Sequence, residues 1–320
     1  MKVSESRRGG SKVRPGTDET GGSFGMIHRE EGWDELLAEV RSAPGTRTVY
    51  VVGASDRGKT TFCRYLSEAL SEELPTAYID CDPGQSSIGP PACLGMRRIL
   101  RLDSAGERSV LSFVGSLSPK GHLLQSLSGA KKLAQKAVDL GCRAVILDSS
   151  GFVAGNVGRE FQFTLIDLIR PGFLVAFQRE DELEGLLENF ARSPHTRVRR
   201  MPVSPAVRER SPMMRQAYRT ERFRHYFRDA GIGKIRLSGK GLHGDIPDFR
   251  RPGSCKDLLI ALCDPGNFVS VLAVIRAYRS KAGALEVLAP PFDIGEVSTV
   301  HFGSLYLDED FRTTAKPRHR

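Results

Sequence analysis

The sequence predicts an α/β fold, a parallel sheet with helices on both faces, followed by a small C-terminal β-rich domain. Three observations predict it. Short apolar runs alternate with stretches of helical periodicity from Trp33 to Phe177, the texture of repeated βα units. A glycine-bearing turn, Gly53 to Thr60, lies between one such run and one such stretch. From about Lys234 the pattern changes to β-rich runs separated by hairpin punctuation.

The elements follow in order. Residues 1–25 are polar and rich in Gly, Ser and Arg, with too little apolar surface to offset the entropy of ordering, so they read as a disordered tail. They also lack the apolar core of a secretion signal. A first domain then spans 26–235. Trp33, Leu36, Leu37 and Val40 have the spacing of one helix face. Thr48–Val52 is a β-branched and aromatic run that ends at Gly53, a buried strand, and Thr60–Leu74 has helical character. Thr76–Ile79 is the next strand and runs into Asp80. After a Pro- and Gly-containing loop come a strand at Val110–Val114, a helix at Gly129–Leu140 and a strand at Ala144–Leu147. A helix at Phe161–Ile169 and a strand at Phe173–Phe177 complete the alternation. In the second domain, 236–312, Leu258–Cys263, Phe268–Tyr278 and Ala284–Leu288 are strands. The punctuation between them is Asp264-Pro265-Gly266-Asn267 and Lys281-Ala282-Gly283, and residues 313–320 form a basic tail.

Composition narrows the function classes. The 320 residues are 40% hydrophobic and 27% charged, ordinary for a globular protein, and hold no apolar run long enough for a membrane span. Six cysteines are scattered with no CxxC pair and no His cluster at zinc spacing, which suits reduced thiols in the cytoplasm. The formal charge is +9, and its placement is informative. Between Arg197 and Arg236 stand 12 Lys or Arg against three acids, Glu209, Glu221 and Asp229, a surplus equal to that of the whole chain. Such a segment suits a polyanion, either nucleotide phosphates or a nucleic-acid backbone.

Gly53-x4-Gly58-Lys59-Thr60 has the phosphate-loop spacing in the right place, after a strand and before a helix, which puts the first domain in the P-loop NTPase class. Glycines let the backbone N–H groups of Gly53, Ala54, Ser55, Asp56, Arg57, Gly58, Lys59, Thr60 and Thr61 converge on phosphates, and the helix N-terminus adds its dipole. Lys59 reaches for the β- and γ-phosphates, and the Thr60 hydroxyl for Mg²⁺. Asp80 and Asp82 lie at the C-terminal end of a strand, where open α/β sheets bind ligands. Alternation along an extended chain points the two carboxylates the same way, with Cys81 opposite. One can join the Mg²⁺ shell while the other accepts a proton from an attacking hydroxyl, and Gln85 is free to hydrogen-bond phosphate or water. Asp148, ending the apolar strand Ala144–Leu147, competes for the metal-shell role.

Ser211-Pro212 is an N-cap and first-turn pair, so a helix begins there and ends before Gly231. Arg215, Arg219 and Arg222 fall on one face of it, where acids are few and an external anion is the expected partner.

Together the segments GASDRGKTTFCRYL from Gly53, YIDCDPGQ from Tyr78, FVGSLSPKGH from Phe113, ILDSSGFVAG from Ile146 and RERSPMMRQAYRTERFRHYF from Arg208 occur in a telling order. From about Tyr50 to Phe227 the chain resembles the polynucleotide 5′-hydroxyl kinases. These are the RNA kinases of pre-mRNA cleavage and ribosomal-RNA processing, with their archaeal and bacterial relatives. Asp56 inside the loop, the DxDxGQ pattern and the arginine segment make the resemblance specific, and the β-rich end looks like that family's C-terminal domain.

The resemblance implies Mg²⁺-dependent transfer of a γ-phosphate from ATP or GTP to the 5′-hydroxyl end of a nucleic acid, RNA favoured over DNA. It implies Asp82 as the base, with Asp80 and Gln85 supporting metal and phosphate. It further implies an arginine lid at about 205–230 in which Arg210, Arg215 and Arg219 hold the matching positions. Relatives often stack the terminal base on a Trp after the Gly of a GW-type motif, whereas this chain has Phe152 there, and Ser118 matches a strand-contacting position. About 45 residues precede the P-loop strand, too few for the N-terminal β domain of the eukaryotic relatives, so the choice of nucleotide base stays open. The alternative function is a nucleotide-hydrolysing module of an RNA-processing complex with little kinase activity.

Overall fold

The computed structural model describes residues 30–99, 109–251 and 253–314. The tail expected at 1–25 and residues 315–320 of the basic tail lie outside the described residues. The chain runs α1 (Trp33–Ser42), β1 (Arg47–Gly53), α2 (Lys59–Ser71), β2 (Thr76–Cys81), β3 (Cys93–Ile99), β4 (Val110–Phe113) and α3 (Leu123–Asp139). It continues through β5 (Ala144–Ser149), α4 (Gly155–Ile169), β6 (Phe173–Gln178), α5 (Glu184–Leu187), β7 (Arg197–Pro202) and α6 (Pro212–Tyr226). The remaining strands are β8 (Gly231–Arg236), β9 (Gly241–Gly244), β10 (Leu258–Cys263), β11 (Val269–Arg279), β12 (Ala284–Ala289), β13 (Thr299–Leu307) and β14 (Thr313–Thr314).

The first sheet has the order β4-β3-β2-β5-β1-β6-β7. Strands β2, β5, β1, β6 and β7 are parallel, and β3 and β4 add an antiparallel edge. The sheet is therefore mixed where the sequence suggested parallel strands alone. A β2–β3 connection of 11 residues turns back without a helix, so β3 can only pair antiparallel. β1 is central and buried on both faces. Val49 and Val51 pack with Trp33, Phe62 and Leu66 of α1 and α2 on one side. Tyr50 and Val52 pack with α3, α4 and α5 residues such as Leu133, Phe161 and Leu187 on the other. Burying the Tyr50 phenol would cost stability without a partner; its hydroxyl donates to Gln162 Oε1 at 2.6 Å.

The second sheet has the order β14-β13-β10-β11-β12-β8, antiparallel along that path, with β9 paired to β13 in parallel. β8 pairs with β12 along Gly231–Arg236, so the second sheet begins within the stretch 26–235 that the sequence assigned to the first domain. What decides that boundary is pairing with a strand some 50 residues later. One face of this sheet, through Leu259, Ala261, Leu272 and Val274, joins the core of α1, α2 and α6. At the seam Gly115 and Gly303 come so close that a Cβ on Gly115 would lie 2.7 Å from the Gly303 Cα, and Ser304 N donates to Gly115 O at 2.9 Å. The C-terminal sheet thereby braces the loop that follows β4.

Candidate active site

The site gathers at the C-terminal ends of β1, β2 and β5. The phosphate loop leaves β1 at Gly53, where a Cβ would sit 2.6 Å from Phe177 O, and turns through Asp56 (φ 53) and Gly58 (φ 88) into α2. Both turning residues are left-handed, a conformation glycine adopts freely and Asp tolerates. Gly151, after β5, presses on this loop: a Cβ there would lie 2.1 Å from Ser55 Oγ and 2.6 Å from Ser55 N. Lys59 is buried and folds back to donate to Ala54 O at 2.8 Å. Burial pushes its pKa down, and the charges of Asp148 and Asp82 oppose that.

The three Asp residues have distinct settings. Asp148 Oδ2 accepts from Thr60 Oγ1 at 2.6 Å and from Tyr78 OH at 3.1 Å, while its Oδ1 is buried with no partner. Asp80 lies opposite Asp148 in the β2–β5 register. Its Oδ1 accepts from Asp82 N at 2.9 Å, and its Oδ2 accepts from Ser87 N at 2.5 Å and Ser87 Oγ at 2.6 Å. Both oxygens of Asp80 are thus committed to shaping the loop after β2, which differs from the metal-shell place expected for it. Burial first and the Asp148 charge second raise its pKa to about 7. Burial likewise raises Asp148, against the pull of Lys59 and the Thr60 hydroxyl. Asp82 lies past the strand end, so its carboxylate is aimed by a turn and not by strand alternation: Oδ1 accepts from Gly84 N at 2.8 Å and Gln85 N at 3.0 Å. Both side-chain amide atoms of Gln85 are buried without a partner.

α6 closes the site from the other side. Ser211 Oγ caps it by accepting from Met214 N at 3.2 Å, and Pro212 occupies the first turn, as the sequence predicts. The helix is tied to the loop after β2 by Tyr218 OH donating to Ser86 O at 2.8 Å and Arg222 Nη2 donating to Gly89 O at 2.6 Å. It is tied to the phosphate loop by Asp56, whose Oδ2 accepts from Arg215 Nη2 at 2.7 Å and whose carboxylate also accepts from Arg210 N and Nε at 3.0 and 3.3 Å. Burial raises the Asp56 pKa, but these three hydrogen bonds outweigh it, and the net shift is downward. Arg57 of the loop reaches Glu209 at 3.4 Å.

The expectation of an arginine face awaiting an external anion needs correction. Arg215 is engaged by an acid of the chain itself, and Arg222 is buried against a backbone carbonyl and serves packing. Arg219 is different. Its Nε is buried with no partner, burial lowers its pKa, and the opposing and like charges it senses are those of Asp82 and Arg215.

The substrate candidates are less central. Phe152 is half-buried, its ring centroid 6.0 Å from that of Phe161, and it packs against the α3–α4 core. Ser118 Oγ accepts from Lys120 N at 3.2 Å within the loop braced by β13. That loop touches the Asp82 turn, since a Cβ on Gly84 would lie 2.3 Å from Leu117 O. Sequence reasoning missed Tyr78, Ser87, Tyr218 and Gly151. Of these, only Tyr218 left a trace, standing three residues after Arg215 on the same helical face.

Among the described residues no group of three or more His, Cys, Asp or Glu could hold a metal unaided. The donor set of Thr60 Oγ1 and the unpartnered Asp148 Oδ1 is nevertheless all hard oxygen. It fits Mg²⁺, which binds through one or two carboxylates plus phosphates and keeps several waters.

Residues 53–229 match the family described as mRNA cleavage and polyadenylation factor CLP1 P-loop. A polyribonucleotide 5′-hydroxyl-kinase of Pyrococcus horikoshii is 25% identical over 327 residues, covering 85% of this chain and 89% of that protein. Its Pyrococcus abyssi counterpart is 24% identical over 342 residues, covering 89% and 95%. The polynucleotide 5′-hydroxyl-kinase NOL9 of Danio rerio is 24% identical over 224 residues, 66% of this chain but 29% of that longer protein. Among solved structures, the wild-type Clp1p–Pcf11p complex superposes with TM-score 0.67 at 14% identity, over 88% of this chain and 80% of that one, a likeness of fold.

Proposed function

The chain belongs to the mRNA cleavage and polyadenylation factor CLP1 P-loop family, and on that footing we propose that it is a polynucleotide 5′-hydroxyl kinase. The nucleotide is ATP or GTP, and the acceptor is the 5′-hydroxyl end of a nucleic acid, RNA in preference to DNA. What supports the reading is that the Ser211-capped arginine helix is hydrogen-bonded both to the phosphate loop that holds Lys59 and to the loop after β2 that holds Asp82.

Each residue then has a task. The phosphate loop from Gly53 to Thr61 cradles the triphosphate, and Lys59 leaves Ala54 O to meet the β- and γ-phosphates. Thr60, Asp148 and Asp82 would hold Mg²⁺, which when bound neutralises charge on the phosphate oxygens. Asp82, fixed by Gly84 N and Gln85 N, accepts the proton of the 5′-hydroxyl as that oxygen bonds to the γ-phosphorus and the bond to the bridging oxygen breaks. Arg219, and with it Arg215 and Arg210, stabilises the charge that spreads over the transferred group. Gln85 supplies amide hydrogen bonds to phosphate or water, and Phe152 and Ser118 border the acceptor. The six cysteines are free and buried, in keeping with a reducing cytoplasm, and no helix among the described residues is long and apolar enough to cross a membrane.

The test is transfer of label from γ-labelled ATP or GTP to RNA and DNA oligonucleotides bearing 5′-hydroxyl ends, in the presence of Mg²⁺. Transfer that Lys59→Ala and Asp82→Asn abolish supports the kinase. Hydrolysis of nucleotide with no transfer to any acceptor makes the protein a nucleotide-driven module instead.

A further inference from the structure

A second cleft, of about 350 Å³, opens where the C-terminal sheet meets β4 and α3. Three features distinguish it from a packing defect. Its lining is rich in hydrogen-bonding side chains, with His122, Gln125, Asn267, His243 and His301 beside one cation, Lys132, and one acid, Asp245. Next, β9 exists at this cleft without a core to serve: all four of its residues are exposed, and it pairs in parallel with β13 in an otherwise antiparallel sheet. Its two glycines permit that pairing, since a Cβ at Gly241 would lie 2.8 Å from Thr299 Cγ2 and one at Gly244 2.2 Å from Phe302 O. The outcome is that His243 stands in register with His301, ring centroids 5.0 Å apart. Finally, the cleft adjoins the loop that carries Ser118, because Gly121 and His122 line it and follow Ser118 in that loop.

Burial, His243 and Lys132 hold the His301 pKa at about 4, so at neutral pH its ring is an uncharged π-face and hydrogen-bonding group. Flat rings beside neutral amides are what a splayed nucleobase needs, by stacking and by edge hydrogen bonds. Lys132, donating to Asn267 O at 2.8 Å, supplies a charge suited to an adjacent phosphate. We propose that this cleft binds a nucleobase of the single-stranded acceptor downstream of its 5′ end, so that the C-terminal sheet holds the strand whose end the P-loop domain phosphorylates. The proposal rests on the kinase reading for its acceptor.

The test compares two acceptors, a nucleoside 3′-monophosphate and a 12-nucleotide RNA with a 5′-hydroxyl. His243→Ala with His301→Ala should raise KM for the 12-mer about tenfold, the worth of one stacked base, with kcat unchanged and the KM of the mononucleotide as in wild type. His243→Phe, which keeps a ring at the mouth, should recover most of the loss. A 12-mer carrying 4-thiouridine at successive positions should cross-link to the peptide holding His301 from an internal position and not from the first. Equal changes for both acceptors, or none for either, overturn the proposal, as does a cross-link competed away by free nucleotide and not by unlabelled 12-mer. If wild type phosphorylates neither acceptor, the kinase reading fails. Fluorescence anisotropy of the 12-mer on wild type and the double variant then still decides whether the cleft binds a strand.

Discussion

The Asp56 carboxylate links the phosphate loop to the lid, and replacing it by Asn isolates its charge. Asp56 has φ 53, a conformation Asn tolerates as well as Asp, so the loop backbone is not strained by the change. In the protein one side-chain group, 5% exposed, receives Arg215 Nη2, Arg210 Nε and Arg210 N. Asn retains one acceptor oxygen but turns an NH₂ donor toward a guanidinium. Its partners are 33% and 46% exposed, so water screens the loss. A charge-assisted contact of about 1.5–3 kcal/mol in a dry site is reduced here to about 1–2 kcal/mol. If only the closed lid is competent, that shift lowers its population, and with it the transfer rate, by about five- to thirtyfold. Single-turnover transfer measured for Asp56→Asn, Arg215→Gln and the double variant checks this. The double variant should lose less than the two single losses combined, because the Asp56–Arg215 contact is common to both changes while the Arg210 contacts belong to Asp56 alone. A rate for Asp56→Asn within twofold of wild type, or additive losses in the double variant, would refute a positioning role. A faster Asp56→Asn would instead mark the contact as a latch that opposes catalysis.

The remaining expectations concern the metal, the pH response and the loop contact. Asp148→Asn should raise the Mg²⁺ needed for half-maximal transfer by at least about tenfold, whereas Asp80→Asn should leave that requirement near wild type; a Mg²⁺ titration of the rate separates them. Asp80, raised to about 7 from 3.8, is an acid whose fold favours its protonated form. Its favourable contribution is complete below the unfolded value and is lost as pH climbs through the folded one. The ligand-free protein should therefore lose thermal stability between about pH 4 and 7, and Asp80→Asn should flatten that slope in a melting-temperature series. Gly151→Ala would set a methyl 2.1 Å from Ser55 Oγ and 2.6 Å from its backbone N. It should weaken nucleotide binding by about tenfold or more in isothermal titration while melting close to wild type, because the clash falls on a loop and not on the core.

What the sequence determined by itself is whatever short-range chemistry encodes. The phosphate loop was legible because glycine spacing, the preceding strand and the following helix all lie within about 25 residues of Gly53. Ser211-Pro212 announced α6 because a cap acts on the N–H groups of its own first turn. The tertiary structure decided everything that depends on partners far along the chain. Asp80 and Asp148 look alike in sequence, each closing an apolar strand. Only the β2–β5 register and the Ser87 turn commit one to the loop and leave the other with a bare oxygen beside Thr60. The arginines of α6 likewise share one helical face, yet Arg215 meets Asp56, Arg222 a carbonyl, and Arg219 keeps a buried Nε without a partner. β3, β8 and β9 escaped detection for the same reason, since a strand's identity comes from its neighbour's hydrogen bonds as much as from its own residues. A side chain's kind is local information, whereas its electrostatic partner is fixed only once distant segments have packed.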